Sequence, residues 1–298
     1  MKLRPALPNF KSSTCRVAAV AVFLAAMAGA APRVSAQDQD VLTPQQSAAK
    51  AMQILQQAIG GLGGQAYLNV KDATFEVRFS QFDHSGQLLG YAKEVDLEIP
   101  PFKDRTENLP KRNIIEVYDG DKGWSLDRGG VSEATITGIA TSQEDTKKDI
   151  DNILRHRIHE PGMILRYGGP DVVDYQEADW VELVDSDNRN FRIAIARGTH
   201  LPIRKVVDTR DANTRIRSEE TEYYSNYHPI DGIETPFQIT RERNGIKIYQ
   251  VFFDKVEYNT GLSPDLFTKA SLDERWEKVG KKDKPSKSKP SDKNNDKN

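Results

Sequence analysis

The densest set of potential metal ligands in this chain is His156-x-x-His159-Glu160. A spacing of i and i+3 sets both imidazoles on one face of a helix. Two-histidine helix motifs of metalloenzymes, however, read H-E-x-x-H or H-x-x-E-H. Arg155 and Arg157 flank His156 with positive charge, and a helix C-terminus favours histidine without any metal. Asp185-x-Asp187 opens like a calcium loop, but Arg189 and Ala196 occupy its fifth and twelfth positions, so it reads as a hairpin turn. Gly61-x-Gly63-x-x-Ala66 matches the dinucleotide fingerprint by letter. It follows a helical pattern and precedes a strand, the reverse of the order that phosphate binding requires. No Gly-x-Ser-x-Gly is present, and the single cysteine, Cys15, excludes an internal disulfide and a cysteine-built zinc site. His84, His200 and His228 stand singly in turn-like segments, and the many carboxylates single out no acid–base pair. No catalytic residue, metal or cofactor is therefore assigned, and the chain is read as a non-enzyme.

What remains is apolar. Aromatic and aliphatic side chains recur at alternate strand positions, and the residues expected to line a ligand cavity are Phe75, Val77, Phe79, Val117, Trp124, Ile153, Leu154, Phe191, Ile193 and Phe253. The elements that must position them follow from periodicity. Thr43-Pro44 opens a helix in which Ala48, Met52, Leu55 and Ile59 form one stripe, ended by Gly60-Gly61-Leu62-Gly63-Gly64. From Ala73 the period becomes two: Phe75, Val77 and Phe79 alternate with Glu76, Arg78 and Ser80, and Val95, Leu97 and Ile99 share a face of the next strand. A hairpin at Asp119–Gly123 leads into Trp124 and Leu126. Thr141-x-x-Glu144 predicts a capping box for a helix whose Ile150, Ile153, Leu154 and Ile158 share a face. Strands are predicted again at 172–175, 180–184, 191–196, 203–208, 214–224, 235–241 and 246–258, separated by tight turns. About ten strands and two principal helices make an α+β fold: a curved antiparallel sheet, a half-open β-barrel, with helices covering its concave face.

The chain has 298 residues and a net charge of −2, which conceals three segments. Residues 1–36 carry +5 and an apolar run, Val17–Ala31, that is short for a membrane span; they are predicted to be a signal peptide cleaved after Ala36. Residues 280–298 carry +4 and no apolar side chain, the composition of a disordered Lys-rich tail. Residues 37–279, read as one domain, hold −11. That balance speaks against nucleic-acid binding, and after signal removal no transmembrane segment is expected.

Several motifs in order carry a family resemblance. They are Gly-Gly-Leu-Gly-Gly after the first helix, Tyr118-Asp119-Gly120-Asp121-Lys122-Gly123-Trp124, Thr199-His200-Leu201-Pro202-Ile203-Arg204, and Tyr227-His228-Pro229-Ile230-Asp231-Gly232-Ile233-Glu234-Thr235-Pro236. The closing segment has Asn259-Thr260-Gly261-Leu262 and Asp265-Leu266-Phe267. This order resembles exported bacterial proteins of the outer-membrane lipoprotein carrier (LolA-like), or lipoprotein-sorting, superfamily. The resemblance implies a half-closed antiparallel barrel with a helical lid over a hydrophobic cavity that holds acyl chains, without a cofactor. The expected role is a periplasmic carrier for a lipid or acylated lipoprotein. The alternatives are a non-catalytic envelope protein that senses or binds a protein partner and, third, an enzyme whose polar site the sequence does not locate.

Overall fold

The computed structural model describes residues 42–210 and 216–282. Residues 1–41, on which the predicted signal peptide falls, residues 211–215 and residues 283–298, on which most of the predicted Lys-rich tail falls, lie outside the described residues.

Thr43 caps α1 (Pro44–Gly61): its hydroxyl accepts from Gln46 N while the Gln46 side chain accepts from Thr43 N, a reciprocal capping box. The glycine run turns the chain through α2 (Gln65–Leu68) into the sheet. One reason for glycine there is proximity: at Gly63, whose φ is +124°, a Cβ would overlap the Gly232 carbonyl. The dinucleotide-like letters thus describe a packing turn.

Thirteen antiparallel strands follow: β1 (Ala73–Phe82), β2 (Leu88–Ile99), β3 (Lys103–Asn108), β4 (Ile115–Asp119), β5 (Lys122–Asp127), β6 (Gly130–Glu133), β7 (Ile164–Val173), β8 (Gln176–Val184), β9 (Asn190–Ala196), β10 (Pro202–Arg210), β11 (Arg217–Ile230), β12 (Ile233–Arg243) and β13 (Ile246–Tyr258). They form one curved sheet in the order β6-β5-β4-β3-β2-β1-β13-β12-β11-β10-β9-β8-β7, which does not close into a barrel. Between β6 and β7 lie α3 (Ile136–Lys148) and α4 (Ile150–Arg155), and α5 (Lys269–Lys282) follows β13.

Several boundaries differ from expectation. The cap of α3 is Thr135, which accepts from Gly138 N at 3.0 Å, so Thr141 and Glu144 lie inside the helix. The predicted strand at 172–175 is a turn at its second half. Asp174 and Tyr175 have φ of +49° and +63° and join β7 to β8 as a two-residue hairpin without glycine. Helix α5 was not expected, and residues 280–282, predicted to begin the tail, continue it.

Call the sheet face toward α1, α3 and α4 the inner face. At the β7–β10 end it is packed: Ala51, Leu55 and Ala58 of α1 and Ile153 and Leu154 of α4 meet Val181, Leu183, Phe191 and Ile193, all buried. At the other end the core lies on the outer face. Val95, Leu97, Ile115, Val117 and Leu126 are buried there beneath Phe267 and Leu272. Arg105 secures that cover, donating to Glu107 at 2.6 Å, Leu266 O at 2.7 Å and Ser271 Oγ at 3.0 Å.

Candidate functional site

The switch of core from one face to the other leaves the inner face of β2, β3 and β4 without apolar cover. Because strand side chains alternate, sending Val95 and Leu97 outward sends Glu94, Asp96 and Glu98 inward. Cross-strand register then builds rows. Phe75, Asp96, Thr106 and Glu116 stand side by side across β1–β4, and Glu98 directly faces Asp104 in the next row. Like charges placed directly opposite repel.

Helices α3 and α4 overhang this surface and leave a half-open cavity of about 840 Å³. Its floor is Glu94, Asp96, Glu98, Asp104 and Glu116; its roof adds Asp145, Asp149, Asp151, Arg155 and His156. A second cavity of about 240 Å³ adjoins it, sharing Asp96, Glu98, Arg155 and Tyr249. Its lining is mainly aromatic and aliphatic, with Phe75, Leu154, Tyr227, Ile239, Phe253 and Tyr258, but it also includes Glu222, Glu234 and Arg241. Phe75 meets Phe253 edge-on at 5.5 Å and Tyr258 at 6.2 Å.

The electrostatics follow from burial and crowding. Burial, with Asp104 nearby, pushes the Asp96 carboxyl up to about 7 against a hydrogen bond from Thr106. Burial and Glu116 raise Asp104 to about 6, and burial and Asp151 raise Asp149 to about 6. Glu98 is raised well above the usual range by burial, Asp104 and Asp149. Each shift keeps a proton on a carboxyl that would otherwise face its neighbours charged.

A compensated ion cluster borders the smaller cavity through Glu222 and Arg241. Buried Lys205 lies 2.6 Å from Glu222 Oε2 and donates to Lys148 O at 2.5 Å. Arg241 Nε donates to Glu222 Oε1 at 2.6 Å, and Tyr224 OH donates to Oε2 at 2.5 Å. Burial opposes ionisation of Glu222, yet Lys205 and Arg241 hold its carboxyl well below the usual range. Lys205 thereby fastens the C-terminus of α3 to the sheet. Arg157 fastens the same end through Lys147 O and pairs with Asp185 at 3.0 Å. Arg189 reaches both oxygens of Glu144 in α3, at 2.9 and 2.8 Å, and Asp185 at 2.9 Å.

Of the ten apolar residues expected to line a cavity, Phe75, Phe79, Leu154 and Phe253 do so. Ile153, Phe191 and Ile193 are consumed by the core under α1, and Val77 is buried at 3% exposure without touching either space. Val117 and Trp124 are corrections: they belong to the outer core, because β4 and β5 share the face of Leu97. The larger cavity is lined by carboxyls as well as by apolar side chains, which the expectation of a hydrophobic cavity did not include. Asp96, Glu98, Asp104 and Arg155 were missed, although Glu94-Val95-Asp96-Leu97-Glu98-Ile99 spells the two faces out. The alternation marks a polar face without saying that helices roof it.

The other candidates separate. His156 borders the large cavity, whereas Glu160 is taken by Arg157 at 3.1 Å, and no metal-holding group of side chains occurs among the described residues. Asp185 accepts from the amides of Asp187 and Arg189, the turn expected of it. His84, His200 and His228 border neither cavity.

No family model matches the chain, and no curated protein matches it in sequence. Solved structures do match in shape. A DUF1329 family protein from Desulfovibrio piger aligns with a TM-score of 0.54 and 16% identity, over 74% of this chain and 98% of that one. An outer membrane lipoprotein-sorting protein domain from Vibrio parahaemolyticus gives 0.52 and 13% identity, over 76% and 99%. A LolA superfamily protein from Nitrosomonas europaea gives 0.50 and 14% identity, over 74% and 99%. The fold is LolA-like. At these identities the likeness concerns the fold, and the cavity chemistry described above is this chain's own. No helix among the described residues is long and apolar enough to cross a membrane.

Proposed function

We propose that this protein is a non-catalytic carrier of the bacterial envelope that shelters the apolar part of a lipid or acylated lipoprotein between its sheet and its helices. The observation that carries this reading is the aromatic and aliphatic cavity of about 240 Å³ at Phe75, Leu154, Ile239 and Phe253, continuous with a larger space under α3 and α4. Solved structures of the same fold include a domain described as lipoprotein-sorting, which is consistent with it. Burial supplies the driving force, at about 0.8 kcal/mol per methylene removed from water. We read residues 37–279 as the carrier domain and residues 1–36 as the export signal, cleaved after Ala36, with a periplasmic destination.

Organic extraction of the natively purified protein followed by mass spectrometry should recover a bound lipid. The uncharged apolar dye N-phenyl-1-naphthylamine should bind saturably, and Phe253→Ser should weaken it by about fivefold, the loss expected for about 1 kcal/mol of apolar contact. No extracted lipid together with no saturable dye binding overturns the reading.

One observation favours a second reading. Carboxyls pushed to about 6 and about 7 at Asp104 and Asp96 sit where general acids and bases operate. Turnover of a glycoside or ester panel that is abolished by Asp96→Asn would establish it; no turnover would dismiss it.

A further inference from the structure

The carrier reading leaves the polar end of the ligand unspecified, and the larger cavity specifies it. Above about pH 7, where Asp96 and Asp104 release the protons they hold below it, its floor carries a negative charge that no cation of the protein pairs with among the described residues. Glu94, Asp96, Glu98, Asp104 and Glu116 make no ion pair among the described residues, whereas the cations beside them are committed. Lys103 lies 2.5 Å from Asp119, Arg155 lies 3.4 Å from Asp151, and Arg241 is held by Glu222.

A second observation points the same way. Asp96 borders both cavities, and its Oδ1 is closed to solvent with no hydrogen-bond partner. A buried acceptor without a donor costs about 1–3 kcal/mol, which a donor brought by a ligand would recover. The third is the aromatic character of the junction. Tyr249 borders both spaces, with Phe75, Phe253 and Tyr258 just beyond it. Aromatic rings beside carboxylates are the surroundings that recognise ammonium groups; Arg241 already lies over the Tyr249 ring at 4.7 Å, so Phe75, Phe253 and Tyr258 are the rings left for a ligand cation.

The geometry points to a cationic amphiphile as the ligand: a protonated amine or quaternary ammonium head at Asp96, Glu98 and Asp104, with its apolar chain in the aromatic cavity. The inference rests on the carrier reading and names the class of its cargo. A fatty-acid carboxylate is disfavoured in the same place. It would add a like charge to the floor, and the two arginines at the junction, Arg155 and Arg241, are paired with Asp151 and Glu222, leaving Arg155 Nε as the one guanidinium nitrogen there that is buried without a partner among the described residues.

Calorimetric titration of the full chain at pH 7.5 with decylamine, decanol and decanoate, each below its micelle-forming concentration, tests this. Decylamine should bind at least about tenfold more tightly than decanol, with decanoate weakest. The double variant Glu98→Gln, Asp104→Asn removes two facing carboxyls without removing packing, and it should shrink the decylamine preference below about threefold. Decanol binding that equals or exceeds decylamine binding overturns the cationic head group and leaves the carrier reading standing. A tightest-binding decanoate does the same. Binding of none of the three overturns both.

Discussion

Asp96 shows how one side chain in this protein is caught between two requirements. Its neighbours Val95 and Leu97 are needed in the outer core, so the strand delivers its carboxyl to the inner face whatever that face contains. There it holds a proton up to about pH 7, against an ordinary aspartate value near 3.8. A folded-state value above the unfolded one means that the native protein binds the proton more tightly. The stability this contributes is fully present below the unfolded value and is lost as pH rises through the folded one. Asp104 and Asp149, each at about 6, act in the same direction. The melting temperature is therefore expected to fall between pH 5 and pH 8. Asp96→Asn should flatten that slope and raise stability at pH 8 by about 1–2 kcal/mol after screening within a water-accessible cavity. Thermal unfolding across that range checks it, and a melting temperature that rises with pH would refute the assignment.

Among the elements, α3 is the one held differently. It buries no side chain, unlike α1 and α4, so its attachment is polar. The Arg189–Glu144 fork grips its middle, and Lys205 and Arg157 hold its last carbonyls. An element with few apolar contacts opens at low free-energy cost, and α3 forms part of the roof of the larger cavity. Arg189→Ala should raise hydrogen exchange across Ile136–Lys148 by about three- to tenfold while β8 and β9 exchange as before. Moderate salt should act in the same sense, since the Glu144 side of this contact is 41% exposed. Equal acceleration in helix and sheet would show that the fork supports the whole fold. The position of α3 was only partly legible. Thr135 and Thr141 both offer a capping hydroxyl, and propensity alone does not choose between them.

At the scale of the whole molecule, the two larger of the three cores among the described residues lie on opposite faces of one sheet and explain its cavity. The outer core depends on the segment after β13. Phe267 and Leu272 are fully buried against Val95, Val117 and Leu126, and Arg105 donates to the neighbouring Leu266 carbonyl and to Ser271 Oγ. Phe267→Ala should cost about 3–5 kcal/mol, read by denaturant unfolding. A loss below about 1 kcal/mol would mean that the C-terminal helix is an accessory.

The strand alternation, the capped first helix, the glycine turn and the antiparallel meander were all present in local order, because each depends on residues a few positions apart. So were the apolar residues Phe75, Phe79, Leu154 and Phe253 that border the cavities. A period of two declares that a strand has two unlike faces; it does not say which one a distant helix will cover. That choice was made by contacts between residues more than a hundred positions apart, such as Arg105 with Leu266. They placed the apolar set of β2 outward and turned Glu94, Asp96 and Glu98 into the floor of a cavity.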